Sequence, residues 1–366
     1  MSSPNLAKSL SSLPLALIKV FTWDKSFKSN PVIGNRLLNR LGLHVARVAI
    51  SHLLFNFRLY LLAPLANAAQ RRHFRQHGYL KIENFLPTER FAQLKAEIEQ
   101  FGGEIREETE GSTITKRLYL TESALADLPQ CQAFCTDSKL LKLLRYTSSK
   151  NRIPFFHLEN IVHHASKSKQ ADPQKDFHTD TFHPCVKAWL YVDDVSDHNG
   201  PFIVVPGSHR LTWKRIKWEY RQSLIASQDK TKRPEGRYWD GSFRVTERDA
   251  EELDYGPPVA MKVPANTLLV ANVHAIHRRG DAAPGATRMT VWMQARDNPF
   301  NPLFSPFPQL TARIFEYVWK QYMAKRTAMQ IKRGAWRTVS GGFSIRSLSA
   351  ETSPNAALPK NPASDS

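Results

Sequence analysis

The sequence predicts a mainly β fold, a sandwich or barrel of short strands with helices at its flanks. Short β-rich runs recur between about residues 79 and 300, and Gly, Pro, Asn and Asp separate them. Two longer stretches, 88–101 and 309–332, have helical patterns and lie outside the strand pattern. Apolar residues make up 42% of the 366 residues, so the chain can bury a sizeable core.

Residues 1–71 are predicted to form a basic amphipathic extension before this core. Residues 1–80 hold eleven Lys and Arg against one acid. In the stretch 41–66, helical spacing places four polar residues on one face: His44, Arg47, Ser51 and Arg58. A basic amphipathic helix with aromatic residues is typical of the bilayer interface, so we predict contact with an anionic membrane surface. A helix packed on the core or on a partner is the alternative, and the two arginines disfavour a membrane-spanning helix.

The predicted core spans residues 72–300. It begins with an alternating strand at Tyr79–Ile82, and the helix at 88–101 follows Pro87. Further strands are predicted at Lys187–Val192, Phe202–Val205, Thr267–Val270 and Met289–Gln294. After the core we predict a helical segment at 301–339 and a disordered tail at 340–366, which is rich in Ser, Pro, Ala and Asn.

The net charge of +18 lies mostly at the two ends of the chain. Residues 301–366 hold nine Lys and Arg against three acids, whereas residues 81–300 are nearly balanced. Basic ends indicate an anionic partner, either a membrane surface or a nucleic acid. No zinc finger, helix-turn-helix or aromatic RNA-binding motif accompanies the charge, which disfavours nucleic acid. Three cysteines are too few for a disulfide scaffold, so we predict a cytoplasmic location, with peripheral membrane association as a further expectation.

The segment Phe177–Asp180 contains a candidate metal site. Residues two apart in an extended strand face the same side, so His178 and Asp180 can reach one ion together. A later apolar strand ends at His277, which can supply a third ligand. Two histidines and one carboxylate leave coordination positions open and favour Fe(II) oxygen chemistry over structural zinc. His274 is a rival third ligand, but its odd offset from His277 points it to the other face.

Arg288 is the candidate anion-binding residue. It begins the apolar run from Met289 to Met293, eleven residues after His277. A buried arginine needs an anionic partner, and the planar guanidinium can grip a carboxylate through two hydrogen bonds. A dicarboxylate that chelates iron at one end would present its other carboxylate for this contact.

Residues 72–297 resemble the phytanoyl-CoA dioxygenase (PhyH-like) family of Fe(II)/2-oxoglutarate oxygenases. The order and spacing of several motifs carry the resemblance: Phe74–Leu80, His178 with Asp180, Ala188–Val195, Asn199–Phe202, Val205–His209, and His277 with Arg288. The resemblance implies a double-stranded β-helix core, of the jelly-roll or cupin-like kind. It also implies Fe(II) as the metal, with 2-oxoglutarate and O2 as co-substrates.

The resemblance assigns roles residue by residue. The metal ligands fall on His178, Asp180 and His277, and Arg288 binds the far carboxylate of 2-oxoglutarate. The strand tryptophan near the co-substrate falls on Trp189. His209 lies in a turn that is predicted to be architectural rather than ligating.

The chain departs from the family pattern directly after His277. The small residues usual there are replaced by Arg278 and Arg279. Arg279 is therefore a candidate for contact with an anionic group of the substrate. His183 is a second pocket candidate, although it could equally satisfy a turn.

The predicted function is hydroxylation of an aliphatic C–H of a small-molecule or lipid-like substrate, with release of succinate and CO2. The basic extension favours a lipid-linked substrate near an anionic membrane. Two alternatives are a non-catalytic jelly-roll protein that binds a ligand or partner, and an oxygenase that acts on nucleic acid. An incomplete metal triad would have favoured the first alternative.

Overall fold

A computed structural model describes residues 13–150, 152–163, 172–228, 240–295, 298–302 and 336–343, with single positions between 307 and 325. Helices α1 to α3 lie at residues 13–20, Arg36–Arg40 and Leu43–Leu61. Helices α4 to α8 are Ala68–His77, Thr88–Gln100, Glu122–Leu125, Pro129–Cys135 and Ser138–Ser148. Helices α9 and α10 are Trp213–Gln228 and Glu247–Leu253.

Two antiparallel sheets form the core. Among the described residues, the larger sheet has eight strands in the order β1-β8-β5-β10-β4-β3-β2-β11, and the smaller has three in the order β7-β6-β9. The first five strands are β1 Tyr79–Ile82, β2 Ile105–Glu110, β3 Thr113–Tyr119, β4 Phe155–Val162 and β5 Val186–Tyr191. The others are β6 Phe202–Val204, β7 Val259–Ala260, β8 Thr267–Asn272, β9 His277–Arg279, β10 Thr287–Ala295 and β11 Trp336–Val339. The predicted mainly β fold with flanking helices and a jelly-roll core is confirmed.

Alternation along the strands separates two apolar cores. In β5, Ala188 and Leu190 face a large core that the helices cover, whereas Trp189 and Tyr191 face a second core. The second core also contains Phe202 of the smaller sheet, so it lies between the two sheets. Successive side chains of a strand point to opposite faces, which is why one strand serves both cores.

The C-terminal part ends differently from the prediction of a helical segment at 301–339. Described positions between 310 and 325 are helical, but Trp336–Val339 form β11, which pairs with β2 at the sheet edge. Phe343, in the segment predicted to be disordered, packs against Phe101 with ring centroids 6.3 Å apart. The remainder of the predicted tail lies outside the described residues.

Helix α3 turns its polar face toward the protein. Arg47 donates to the carbonyl oxygens of Val20 and Asp24 at 2.8 and 2.6 Å. His44 lies 2.8 Å from a carboxylate oxygen of the buried Glu219 in α9. Arg58 is also buried and bonded to backbone carbonyls. The polar residues therefore pack on the domain, which is the alternative that the sequence had left open.

The outward face of α3 is apolar instead. Its large exposed side chains are Ile50, Leu53, Phe57, Tyr60 and Leu61, and the smaller Ala46, Ala49 and Asn56 are exposed beside them. No helix among the described residues is both long and apolar enough to cross a membrane.

Candidate metal centre

The backbone brings the two predicted halves of the site together. His178 and His277 exchange both backbone hydrogen bonds, at 2.9 and 3.0 Å, so they form an antiparallel bridge. The amide of Asp180 donates to the carbonyl of Val273 at 3.1 Å. These bonds hold the 178–180 segment along the chain that leads into β9.

The three predicted ligand atoms converge on one point. Asp180 Oδ1 lies 3.3 Å from His178 Nε2 and 3.6 Å from His277 Nε2. One ligand atom from each residue lies within 4.8 Å of the other two. This is the only such group of three among the residues that the structure describes. The sequence prediction that these side chains meet in space therefore agrees with the geometry.

Hydrogen bonds prepare both imidazoles for a metal. His178 Nδ1 lies 2.7 Å from the carbonyl of Asp176, and His277 Nδ1 lies 2.8 Å from the carbonyl of Ala275. A carbonyl only accepts, so each Nδ1 carries the proton and each Nε2 presents its lone pair. His178 Nε2 is buried without a hydrogen-bond partner among the described residues. The donor set thus fits a divalent metal such as Fe(II).

The electrostatics keep Asp180 ionised and His277 neutral. Burial alone would raise the pKa of Asp180, but Lys187, whose Nζ lies 2.6 Å from Oδ2, and the two imidazoles lower it well below its usual value. Burial and the neighbouring His178 lower the pKa of His277 to about 3. Ionised carboxylate and neutral imidazole are the protonation states that bind metal.

His274 lies apart from this group. Its Nδ1 donates to the carbonyl of Thr181 at 2.9 Å, and its ring packs edge-on against His52. His274 is therefore satisfied on the other side of the chain, which agrees with the choice of His277 from its strand offset.

The comparisons with known proteins identify the family. The model described as phytanoyl-CoA dioxygenase (PhyH) matches residues 74–288, more than half of the chain. The chain belongs to the phytanoyl-CoA dioxygenase family. The predicted family is therefore confirmed, and with it the class of Fe(II)/2-oxoglutarate oxygenases.

Individual relatives are more distant. The human protein "Phytanoyl-CoA dioxygenase, peroxisomal" is 25% identical over 173 residues, 41% of this chain and 50% of the human protein. The match thus spans about half the length of that curated relative. The epimerase SnoN, solved with Fe3+, alpha ketoglutarate and nogalamycin RO, is 16% identical with a TM-score of 0.41, covering 62% of this chain and 83% of SnoN. HygX from Streptomyces hygroscopicus, solved with nickel and 2-oxoglutarate, is 15% identical with a TM-score of 0.39, covering 63% and 86%.

Arg288, the predicted anion-binding residue, lies in β10, and its role stays a prediction. It is 7% exposed, and its place in β10 turns it away from Met289, which packs in the helix-covered core. It donates to the carbonyl of Gly200, whereas its Nε has no hydrogen-bond partner among the described residues. Burial lowers its pKa from the ordinary value.

Phe202 lies between Trp189 and the metal-binding residues. The Trp189 ring is 5.1 Å from that of Phe202, which in turn lies 5.3 Å from the His277 ring. This position is compatible with the predicted role near the co-substrate, which stays a prediction.

The two arginines after the distal histidine face opposite ways. Arg278 lies over the ring of Phe177 at 5.3 Å. Arg279, in phase with His277, donates to the buried Asp172 at 2.7 Å. Arg279 already has a carboxylate partner, and its predicted contact with a substrate anion stays a prediction.

Two other histidines of the predicted site region, His183 and His209, are both buried. His183 Nδ1 donates to the carbonyl of Pro184 at 3.0 Å, and the residue is not part of the metal-binding group. Its role in the substrate pocket stays a prediction. The His209 ring packs tightly on Gly78, where an added Cβ would lie 2.5 Å from Nδ1. That contact agrees with an architectural role.

Two residues near the site were not found from the sequence. Lys187, the partner of Asp180, alternates in phase with Trp189, and this alternation is the signal that could have marked it. His163 follows β4, and both of its ring nitrogens lack hydrogen-bond partners among the described residues. Burial and the charges of Arg279 and Arg288 lower its pKa to about 3. No motif marks His163, because its neighbours come from distant strands.

Proposed function

We propose that the protein hydroxylates an aliphatic C–H of a small-molecule or lipid-like substrate, with release of succinate and CO2. Fe(II) with 2-oxoglutarate and O2 would supply the oxidising chemistry. The observation that carries the proposal is the convergence of His178, Asp180 and His277 on one point. Three protein ligands leave positions open for co-substrates, as the non-haem Fe(II) oxygenases require.

Each residue of the site has a proposed task. The two imidazoles and Asp180 hold the metal, while Lys187 engages the second oxygen of Asp180 and fixes its orientation. Arg288 binds the far carboxylate of 2-oxoglutarate through its guanidinium. Trp189 packs beside the co-substrate and helps to exclude water.

The inner face of the larger sheet supports an amphiphilic substrate. Trp292 pairs with Trp189 on one side and with His157 on the other, so all three lie on the same face. The His157 and Trp292 rings stack with centroids 4.3 Å apart. On the same face, Arg117 binds Glu159 at 2.8 Å. A wall that mixes aromatic and charged groups suits a substrate with both apolar and polar parts.

The exposed apolar surface of the N-terminal extension supports peripheral membrane association of a cytoplasmic protein. The outward face of α3 is apolar, and α1 exposes further large side chains, including Leu17 and Ile18. Lys19, Arg36 and Arg40 are exposed beside these apolar residues. Apolar residues flanked by basic ones bind the interface of anionic membranes, because burial and charge attraction add.

The oxygenase proposal is tested by anaerobic titration with Fe(II) and 2-oxoglutarate. The wild-type protein should develop a visible metal-to-ligand charge-transfer band and, in air, form succinate. His178→Ala should lose both signals, whereas the control His198→Ala, on an exposed loop, should keep them. A wild-type protein that binds neither Fe(II) nor 2-oxoglutarate would favour the non-catalytic alternative.

The membrane proposal is tested by vesicle flotation. The protein should float with vesicles that contain phosphatidylglycerol, more weakly at high salt. The double variant Phe57→Ser/Tyr60→Ser should float less, whereas Val259→Ser, at an exposed apolar residue elsewhere, should not change the result. Equal flotation of both variants would exclude α3 as the contact.

A further inference from the structure

A cavity lies between α3 and the core, with a volume of about 590 Å³. We call it the α3 cavity. From α3 it is lined by His52, Phe55, Asn56 and Leu59, and from the core by Phe74, Arg75, His209, Arg210 and Asn272. Its volume lies within the range of small-molecule sites, about 300–1,000 Å³.

The α3 cavity is separate from the metal centre. Asn272 is in phase with Leu268 and Val270 in β8, which face the helix-covered core. The alternate residues, Leu269 and Ala271, face the core between the two sheets. None of the three metal-binding residues lines the cavity, and neither does the proposed co-substrate residue.

Two buried polar groups of this lining lack hydrogen-bond partners among the described residues. His52 is 7% exposed and Asn272 is 1% exposed. The Asn272 Oδ1 accepts hydrogen bonds from the backbone N–H groups of Cys185 and His274 at 3.3 and 3.1 Å, but within the described part of the chain its Nδ2 has no hydrogen-bond partner. The Nε2 of His52 also has none. Buried groups without a partner are costly, so their presence at a cavity points to a bound ligand.

The polar lining gathers at one end of the cavity. Gly78 follows the helix that carries Arg75. The Gly78 carbonyl accepts from the backbone N–H of Asn272 at 2.8 Å, and a Cβ added at Gly78 would lie 2.5 Å from the His209 ring. Arg210 adjoins His209. Three apolar residues, Phe55, Leu59 and Phe74, belong to the main core and supply the apolar lining.

The charge of this lining is positive. Arg75 and Arg210 are exposed, no carboxylate of the described residues pairs with either, and no acid lines the cavity. His52 contributes no charge, because burial and the nearby Arg215 lower its pKa to about 3. The lining therefore offers two guanidinium groups, a neutral imidazole and an amide N–H2 beside apolar surface.

We propose that the α3 cavity binds an amphiphilic organic anion, with its anionic head at Arg75, Arg210 and Asn272 and its aliphatic part against Phe55 and Leu59. The head group can be a carboxylate or a phosphate, since guanidinium and amide donors bind both. The site does not depend on the proposed oxygenase activity, because it shares no residue with that site.

The test uses sodium dodecanoate as the probe and isothermal titration calorimetry of the full chain. Dodecanoate should bind, and dodecanol, which lacks the charge, should bind at least about tenfold more weakly. Arg75→Gln/Arg210→Gln should weaken dodecanoate binding about tenfold or more, whereas Arg72→Gln, an exposed arginine of the same helix outside the lining, should not. Asn56→Trp should block the cavity and abolish binding.

Two further measurements separate the sources and the sites. Flotation with phosphatidic-acid vesicles that is lost in the Arg75/Arg210 variant identifies a lipid head group, whereas dodecanoate binding without such flotation identifies a free anion. His178→Ala should bind dodecanoate as the wild type does, even if it loses Fe(II). No binding of millimolar dodecanoate, or binding that survives both Asn56→Trp and the double arginine variant, would overturn the proposal.

Discussion

Replacing Arg288 by Met should weaken 2-oxoglutarate binding without destabilising the protein. Arg288 is buried, and among the described residues no carboxylate pairs with it. Truncating one partner of a buried charged pair costs about 2–5 kcal/mol of binding free energy. Since 1.4 kcal/mol is tenfold in affinity, the Kd for 2-oxoglutarate should rise about 30- to 4,000-fold.

The conservative variant separates charge from geometry. Arg288→Lys keeps the positive charge but loses the planar pair of donors. One lost charge-assisted hydrogen bond costs about 1.5–3 kcal/mol, so the Kd should rise about 10- to 150-fold. Arg278→Met is the control, because Arg278 lies over Phe177 on the face of β9 opposite to His277.

The assay pairs two measurements on the same samples. Anaerobic calorimetry with 2-oxoglutarate and Fe(II) gives the Kd, and urea unfolding of the apoprotein gives the free energy of unfolding. Because Arg288→Met removes a buried charge, the unfolding free energy should stay equal or rise. A variant that unfolds several kcal/mol more easily and still binds 2-oxoglutarate normally would refute the reasoning, since Arg288 would then be structural.

Two further predictions concern the packing around the site. Gly241 has φ +78°, and an added Cβ would collide with the backbone of Lys25, whose Nζ donates to the Asp180 carbonyl at 2.6 Å. Gly241→Ala should therefore lower both stability and Fe(II) affinity. Gly285→Ala, at φ +75° with open space, should lower stability by only about 1 kcal/mol. Equal free energies of unfolding and equal Fe(II) affinities for the two variants would contradict this. Burial alone would raise the pKa of Glu219, but Arg215 and the His44 imidazole lower it. The ionised Glu219 therefore stabilises the folded protein above about pH 4.5, and this contribution is lost as the pH falls further. In urea unfolding at pH 3.5–6, the free energy of unfolding should fall less steeply with decreasing pH in Glu219→Gln than in the wild type. An equal pH dependence in the two proteins would count against the ion pair.

Strands with one apolar face were predictable from the sequence. The strand predicted at Tyr79–Ile82 has those bounds in the structure, and the run Met289–Gln294 lies within β10. The sequence pattern does not predict strands β2 and β3, because charged residues occupy both of their faces. Arg117 pairs with Glu108 on one face, and Lys116 pairs with Glu107 on the other. Ion pairs between strands replace the apolar alternation that a sequence pattern needs.

The metal-binding residues were predictable for a different reason. His178 and Asp180 are two apart in extended backbone, so local geometry alone places them on one side. The orientation of α3 was not predictable in this way. Its arginines bind backbone carbonyls of distant segments, and a sequence does not show where free carbonyls will lie. Burial of that polar face left the apolar residues outside.

The contacts of Lys25 and His44 have a consequence for how the chain can be divided. The family match begins at residue 74, yet both residues come from the extension before it. Lys25 holds the backbone of a metal-binding residue, and His44 partners the buried Glu219. A segment that starts at residue 74 would leave the buried Glu219 with Arg215 but without His44, and it would lose the Lys25 contact beside the metal-binding residues. The stretch that matches the family is therefore shorter than the stretch of chain that builds the site and its surroundings.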